Sequence, residues 1–358
     1  MRNPNMKPHF KTRSNRHLRA LRLAALLIVL VAGLPCASYA AVTLKIATVS
    51  PDGASWMVKM REGAKDIKTR TDGRVRFKFY PGGVMGNDAS VLRKIRIRQL
   101  QGGAITGGAL GNIVPDTQLY QLPFLFHSQA EVDYIRAQLD PKLIKELESK
   151  GFVTFGFAGG GFAYFMSNHP VSSVADLQKQ KVWLPMGDEV NQQVFDAASI
   201  SPIPLPVSDV MTSLQTRLID TVAVSPVVAI SLQWHTKVKY VMQVPASYIY
   251  ALLAIDKKAF KRIKPADQII VREIMSRVFQ EIEAQNKRDN KKAIEAMEQQ
   301  GIQFIKVADK DLREWQRITA RVRQHEIKNN AYTPAFVDII NNGLQRFRQS
   351  DDHAQISP

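Results

Sequence analysis

The 358-residue chain has one cysteine, Cys36. It falls in a leader segment, so no disulfide is expected to hold the fold together, which must rest on a hydrophobic core. Catalytic and metal motifs are missing as well. There is no H-E-x-x-H and no G-x-S-x-G elbow, and "GGVMG" (Gly82 to Gly86) lacks the Lys-Ser/Thr of a phosphate loop. Beyond residue 40 the histidines are His127, His169, His235, His325 and His353, none paired with another at metal spacing. The chain is expected to be no enzyme and to need no metal or cofactor. The glycines of "AGGGF" (Ala158 to Phe162) fit a crossing between domains better than an oxyanion loop.

The first 22 residues hold no acid and seven basic residues: Arg2, Lys7, Lys11, Arg13, Arg16, Arg19 and Arg22. Then comes the longest apolar run, Leu23 to Leu34, well short of the about 20 residues a membrane span needs. Ser38 and Ala40 stand at signal-peptidase spacing. Basic, apolar and small-residue regions in this order predict a secretory signal peptide over residues 1–40, cleaved near Ala40, and a soluble periplasmic protein. An uncleaved anchor is the rival reading, and Pro35 argues against a lipoprotein built on Cys36. Removing seven basic residues takes the net charge from +17 to +10. That charge is spread out, with no aromatic-interleaved basic stripe, so nucleic acid is not an expected partner.

The remaining chain alternates strand and helix. Val42 to Pro51 predicts a strand, Ser55 to Thr71 a helix capped by Ser55, Arg74 to Pro81 a strand, and Gly102 to Leu110 a buried strand. Gly151 to Asn168 is a long extended stretch broken by glycines. After it the alternation resumes, with "KVWLP" (Lys181 to Pro185), a helix capped by Ser208, and "TVAVSP" (Thr221 to Pro226). Tyr248 to Phe260 is a strand that could cross back. Pro265 to Gln300 is a long helix, roughly 50 Å if unbroken, whose repeated Gln-Asn-Lys-Arg face reads as solvated. The expected domains are 41–160, completed by about 250–290, and 161–249, completed by C-terminal helices over about 291–348. A disordered tail is expected at 349–358.

Several segments, in order, resemble the DctP-like periplasmic solute receptors of TRAP transporters: "ATVSPDGASW", "DGRVRFKFYPGGVMGND", "LPFLF" and "PIPLPVSDVMTSLQTRLID". "SDVMTSLQTRLID" is similar to that family's Glu-Val-Tyr-x-Ala-Leu-Gln-Thr-Gly-x-x-Asp. The resemblance covers nearly all of the chain after the leader. It implies an α/β, two-domain periplasmic-binding-protein fold with interdomain crossing strands and a long bridging helix. It also implies a cleft that closes on a small organic solute and membrane permease subunits as partners. A monomer is expected, although no sequence feature shows the oligomeric state.

In such receptors the strand matching "KVWLP" reads Lys-Ile-Arg-Val-Pro, and its arginine pairs a substrate carboxylate. Here that position is Trp183; a second arginine position is Ala163, and Val224 stands at or beside the usual asparagine. A buried carboxylate without a cation costs several kcal/mol. The cleft is therefore expected to be lined by Trp56, Phe162, Tyr164, Trp183 and Val224 and to favour an uncharged or largely apolar solute. Further candidates around it are Asp52, Met85, Thr106, Pro185, Ser225 and Trp234. The competing reading packs Trp183 into the core and leaves an anion to another cation, with Arg217, at the family's glycine position, and Lys181 as candidates. A periplasmic sensor or partner-binding module of the same fold is a second possible role.

Overall fold

A computed structural model describes residues 41–356; the signal-peptide expectation lies outside them. In chain order the elements are β1 (Val42–Ala47), α1 (Ser55–Arg70), β2 (Val75–Tyr80), α2 (Asp88–Arg96), β3 (Gly102–Thr106), α3 (Gln129–Ser149), β4 (Phe152–Val153), β5 (Phe157–Ser167) and α4 (Val174–Leu177). They continue with β6 (Trp183–Pro185), α5 (Glu189–Ala197), β7 (Ile203–Leu205), α6 (Val207–Gln215), β8 (Thr221–Val224), α7 (Pro226–Ser231) and β9 (Tyr240–Met242). The last are β10 (Ser247–Asp256), α8 (Lys257–Phe260), α9 (Pro265–Gln299), β11 (Gln303–Ile305), α10 (Asp309–Lys328) and α11 (Pro334–Ile356).

Strands β5 and β10 are the shared spine. One nine-stranded sheet runs β11-β9-β5-β10-β3-β1-β2, with β8 also on β5 and β4 on β10. β1 is parallel to β2 and β3, whereas β10 lies antiparallel to both β3 and β5. Past the crossing, β5 pairs antiparallel with β8 and β9, and a parallel bridge from Val182 to Thr221 brings in the β6–β7 pair. Two α/β halves are thus knitted through two strands.

Strand alternation places the cores. On β10, Tyr250, Leu252 and Ala254 enter the core under α2, α3 and α11, while Leu253 and Ile255 enter the one under α1 and α9. On β5, Phe165 and Met166 likewise feed two opposite cores of the second half. Helix α9 spans 35 residues, about 50 Å. Val271, Ile274 and Val278 pack in the first half, and Met297 in the second, so the helix bridges both.

Several local expectations are corrected. The strand from Gly102 stops at Thr106 and turns into 3-10 helix over Gly107–Leu110. Neither Ser55 nor Ser208 caps its helix: the N-cap positions are Ala54 and Pro206, without side-chain caps. Of the C-terminal helices, α10 packs on α4 and α5 of the second half, but α11 returns to α3 of the first. The tail expected to be disordered from Gln349 is helical to Ile356; with no proline or glycine between Gln349 and Ile356, extending α11 costs little once it has begun.

Candidate functional site

The crossing itself is irregular. β5 and β10 pair from Ser247↔Ala163 to Ile249↔Gly161, then skip Gly160 and resume at Tyr250↔Gly159. The extra residue makes a bulge that bends the strand. Gly161 has φ +90°, a left-handed value that disfavours a side chain, and a Cβ on Gly159 would overlap the Tyr248 hydroxyl.

Across residues 159–161, β5 has a strand neighbour only on its β10 side. Helix α9 supplies the other side with side chains. The Gly159 N–H donates to Glu283, Asn286 Nδ2 donates to the Gly159 carbonyl at 2.9 Å, and Asn290 Nδ2 to the Gly160 carbonyl at 2.9 Å. Asn290 Oδ1 also accepts from the Val227 N–H at the start of α7, 3.3 Å away. Positions 283, 286, 287, 290 and 294 recur every three or four residues and so share one helix face. The face read as solvated is instead the partner of the bent strand.

Between this face and the bend lies a cavity of about 180 Å³. Phe162, Tyr164, Pro226 and Ile294 form its apolar walls; Gln129, Tyr248, Lys287 and Asn290 bring polar groups. Phe162 meets Tyr248 edge-on, with centroids 5.4 Å apart. Burial, and then the Glu283 carboxylate, push the Tyr248 hydroxyl up to about 12, so it stays protonated. Behind it, Arg136 is nearly enclosed. Burial works against its charge, but ion pairs to Glu283 (2.9 Å) and Asp140 (3.0 Å) prevail and hold the guanidinium charged. Lys287 reaches Asp133 at 2.8 Å and Glu283 at 3.7 Å.

Of the residues expected at the site, Phe162 and Tyr164 line this cavity. Ser225 precedes the lining Pro226; it is fully buried and its hydroxyl has no partner. Trp183 does not face a cleft. It is 5 % exposed, its indole N–H donates to the Leu205 carbonyl at 2.9 Å, and its ring meets Trp234 edge-on at 5.3 Å. Trp183, Trp234 and Val224 are core; the expected lining role is corrected for Trp183 and Val224, and Trp234, a further candidate, is core packing and no ligand contact: a three-residue strand packed under α6 and α7 has no free face at Trp183. Ala163 is buried opposite Ser247, and half-buried Pro185 pairs with Leu205.

The first-half candidates are dispersed. Exposed Asp52 pairs with Arg61, and Trp56 packs on the core under α1. The Met85 carbonyl accepts from Lys94, and its side chain leans on the core under α2. Thr106 donates from its N–H (3.1 Å) and hydroxyl (2.8 Å) to Asp88 Oδ2, while burial raises that carboxyl and leaves Oδ1 unpartnered. The two cations considered for an anion are elsewhere: exposed Lys181 donates to the Arg217 carbonyl at 3.1 Å, and Arg217 ends α6 at φ +59°, the left-handed value that suits the family's glycine. Sequence reasoning missed Gln129, Tyr248, Pro226, Lys287, Asn290 and Ile294. The available signal was the polar i, i+3, i+4, i+7 stripe of α9 set beside the glycine run of β5. Among the described residues no three His, Cys, Asp or Glu side chains converge as a metal site would require, and no helix is long and apolar enough to cross a membrane.

Two α/β halves joined by crossing strands, with a small cavity at the crossing, define a protein of the two-domain solute-binding class. The chain belongs to bacterial extracellular solute-binding protein family 7, the DctP family, whose model matches residues 46–329. That is the family the sequence resemblance named, one of binding receptors and not enzymes. A curated relative, the 2,3-diketo-L-gulonate-binding periplasmic protein of Escherichia coli, is 24% identical over 80% of this chain and 88% of its own. Among solved structures, a TRAP periplasmic solute-binding protein from Haemophilus influenzae with bound L-gulonate aligns with TM-score 0.77 at 19% identity, covering 84% of this chain and 99% of that one. The sugar acid binding protein of Advenella mimigardefordensis in complex with galactonate aligns with TM-score 0.79 at 15% identity, covering 86% and 99%.

Proposed function

We propose that this protein is the periplasmic receptor of a TRAP-type transporter, that it holds a small organic solute in the cavity at the β5–β10 crossing, and that it delivers the solute to membrane permease subunits as a monomer. The halves would close by bending at the Gly159–Gly161 bulge and the Ile249–Tyr250 step opposite it, with α9 spanning the hinge. The observation that carries this reading is the cavity itself, which touches both crossing strands, the bridging helix and the first residue of α7.

The solute is uncharged, with a ring or aliphatic face for Phe162 and Tyr164 and hydrogen-bonding groups for Gln129, Asn290 and the Tyr248 hydroxyl. One observation supports this: Lys287, the one cation lining the cavity among the described residues, is already paired with Asp133. The sugar acids bound by relatives favour a second reading, an organic-acid receptor in which Lys287 leaves Asp133 to meet a carboxylate. Thermal unfolding of residues 41–358 against mono- and dicarboxylates beside neutral sugars, polyols and aromatic compounds separates the two. A ligand at 100 times its Kd adds about 2.7 kcal/mol. Stabilisation by neutral compounds supports the first reading, by acids alone the second, and by none of them neither.

A further inference from the structure

Lys287 and Gln129 both line the cavity, one from α9 and one from α3, and a single carboxylate outside the lining holds both. Asp133 accepts from Lys287 Nζ at 2.8 and 2.9 Å and from Gln129 Nε2 at 2.9 Å. Gln129 Nε2 in turn lies 3.5 Å from the Tyr248 hydroxyl on β10. Asp133 thus ties the cavity's cation to its amide across the gap between α3 and α9. Glu283, 3.7 Å from Lys287, adds a second negative charge on the cation's own helix, although it is also engaged by Arg136. A solute carboxylate arriving at Lys287 must displace one carboxylate and sit beside another. An uncharged solute meets the same rim with no charge to compensate.

We propose that Asp133 is the specificity-determining residue of the cavity: by neutralising Lys287 it excludes carboxylates and admits their uncharged counterparts. This rests on the cavity being the solute site. Discrimination of this kind comes from a repulsive element as much as from an attractive one. It predicts that the preference reverses when the Asp133 charge is removed and the side-chain shape kept.

The test uses matched pairs that differ at the carboxylate alone: galactitol with galactonate, and uracil with orotate. Dissociation constants are measured by calorimetry, with melting shifts in parallel, on residues 41–358 as wild type, Asp133→Asn, and Asp133→Asn with Lys287→Met. The expected result is a neutral member binding wild type at least tenfold tighter than its acid, the acid gaining tenfold or more in Asp133→Asn, and that gain vanishing in the double variant. Wild type binding the acid as tightly as its neutral mate, or no gain in Asp133→Asn, overturns the proposal and leaves the receptor reading standing. Absence of binding by every member to every variant overturns both. Unchanged melting of the unliganded variants shows that a loss is not misfolding.

Discussion

Replacing Trp183 by alanine separates a core residue from a lid over a ligand. In the structure the indole is enclosed among Val210, Leu214, Val222, Val224 and Trp234. Emptying a buried tryptophan site costs about 3–5 kcal/mol. Within that figure the edge-on contact with Trp234 is worth about 1 kcal/mol, and the Leu205 carbonyl is left without its donor, a further loss of similar size. The Trp183→Ala protein should therefore unfold with a loss of about 4 kcal/mol in the absence of any solute. Urea unfolding followed by circular dichroism reads this, because the far-ultraviolet signal does not depend on the deleted fluorophore. Trp183→Phe, which keeps a ring but not the N–H, should lose roughly half as much. A loss under about 1 kcal/mol in Trp183→Ala, with solute binding abolished, would refute the reasoning and return Trp183 to the cleft.

Other consequences follow from the same geometry. Gly187→Ala, at positive φ with open space around it, should cost only the backbone strain, about 1–2 kcal/mol by thermal unfolding, whereas Gly161→Ala, at φ +90° and also against Asn290, should cost more than that. Arg348 donates to Glu131 at 2.7 Å, and Glu131 is 4 % exposed; Arg348→Ala leaves that carboxylate without its cation, with the His127 N–H still donating to it, and should cost about 3 kcal/mol at pH 7 by urea unfolding. Burial and the neighbouring Asp116 carboxylate raise Glu146 to about 7. Its folded value lies above its unfolded one, so its contribution is complete below about pH 4.5 and is lost as pH rises through 7. Glu146→Gln should flatten the pH dependence of the urea-unfolding free energy between pH 5 and 8 by about 1 kcal/mol, allowing for solvent screening at this partly exposed site; an unchanged slope would contradict it.

The strand–helix alternation was legible because each half buries its elements in regular order, and the long helix because Pro265 opens it and no later proline or glycine interrupts it before Gly301. The family was legible in motifs set at turns, where backbone geometry limits the choice of residue. The site was less so. Trp183 sits on a strand of three residues, too short for alternation to say which face it takes. Lys287, Asn286 and Asn290 read as solvent-facing because a polar stripe on a helix normally is. Only the bulge at Gly160, a product of two strands some 90 positions apart, turns that stripe inward. Tyr248 and Gln129 reach the cavity through tertiary contact alone, with no local pattern to mark them.

The account stands or falls on where the solute sits. The most direct measurement is the dissociation constant of the first solute that stabilises residues 41–358, determined by calorimetry for Tyr164→Ala and for Trp183→Phe. Tyr164 forms a wall of the cavity at the crossing, and Trp183 lies in the core behind β6. The account predicts a loss of tenfold or more in Tyr164→Ala and a change within about threefold in Trp183→Phe. The reverse pattern would contradict it and move the solute to Trp183.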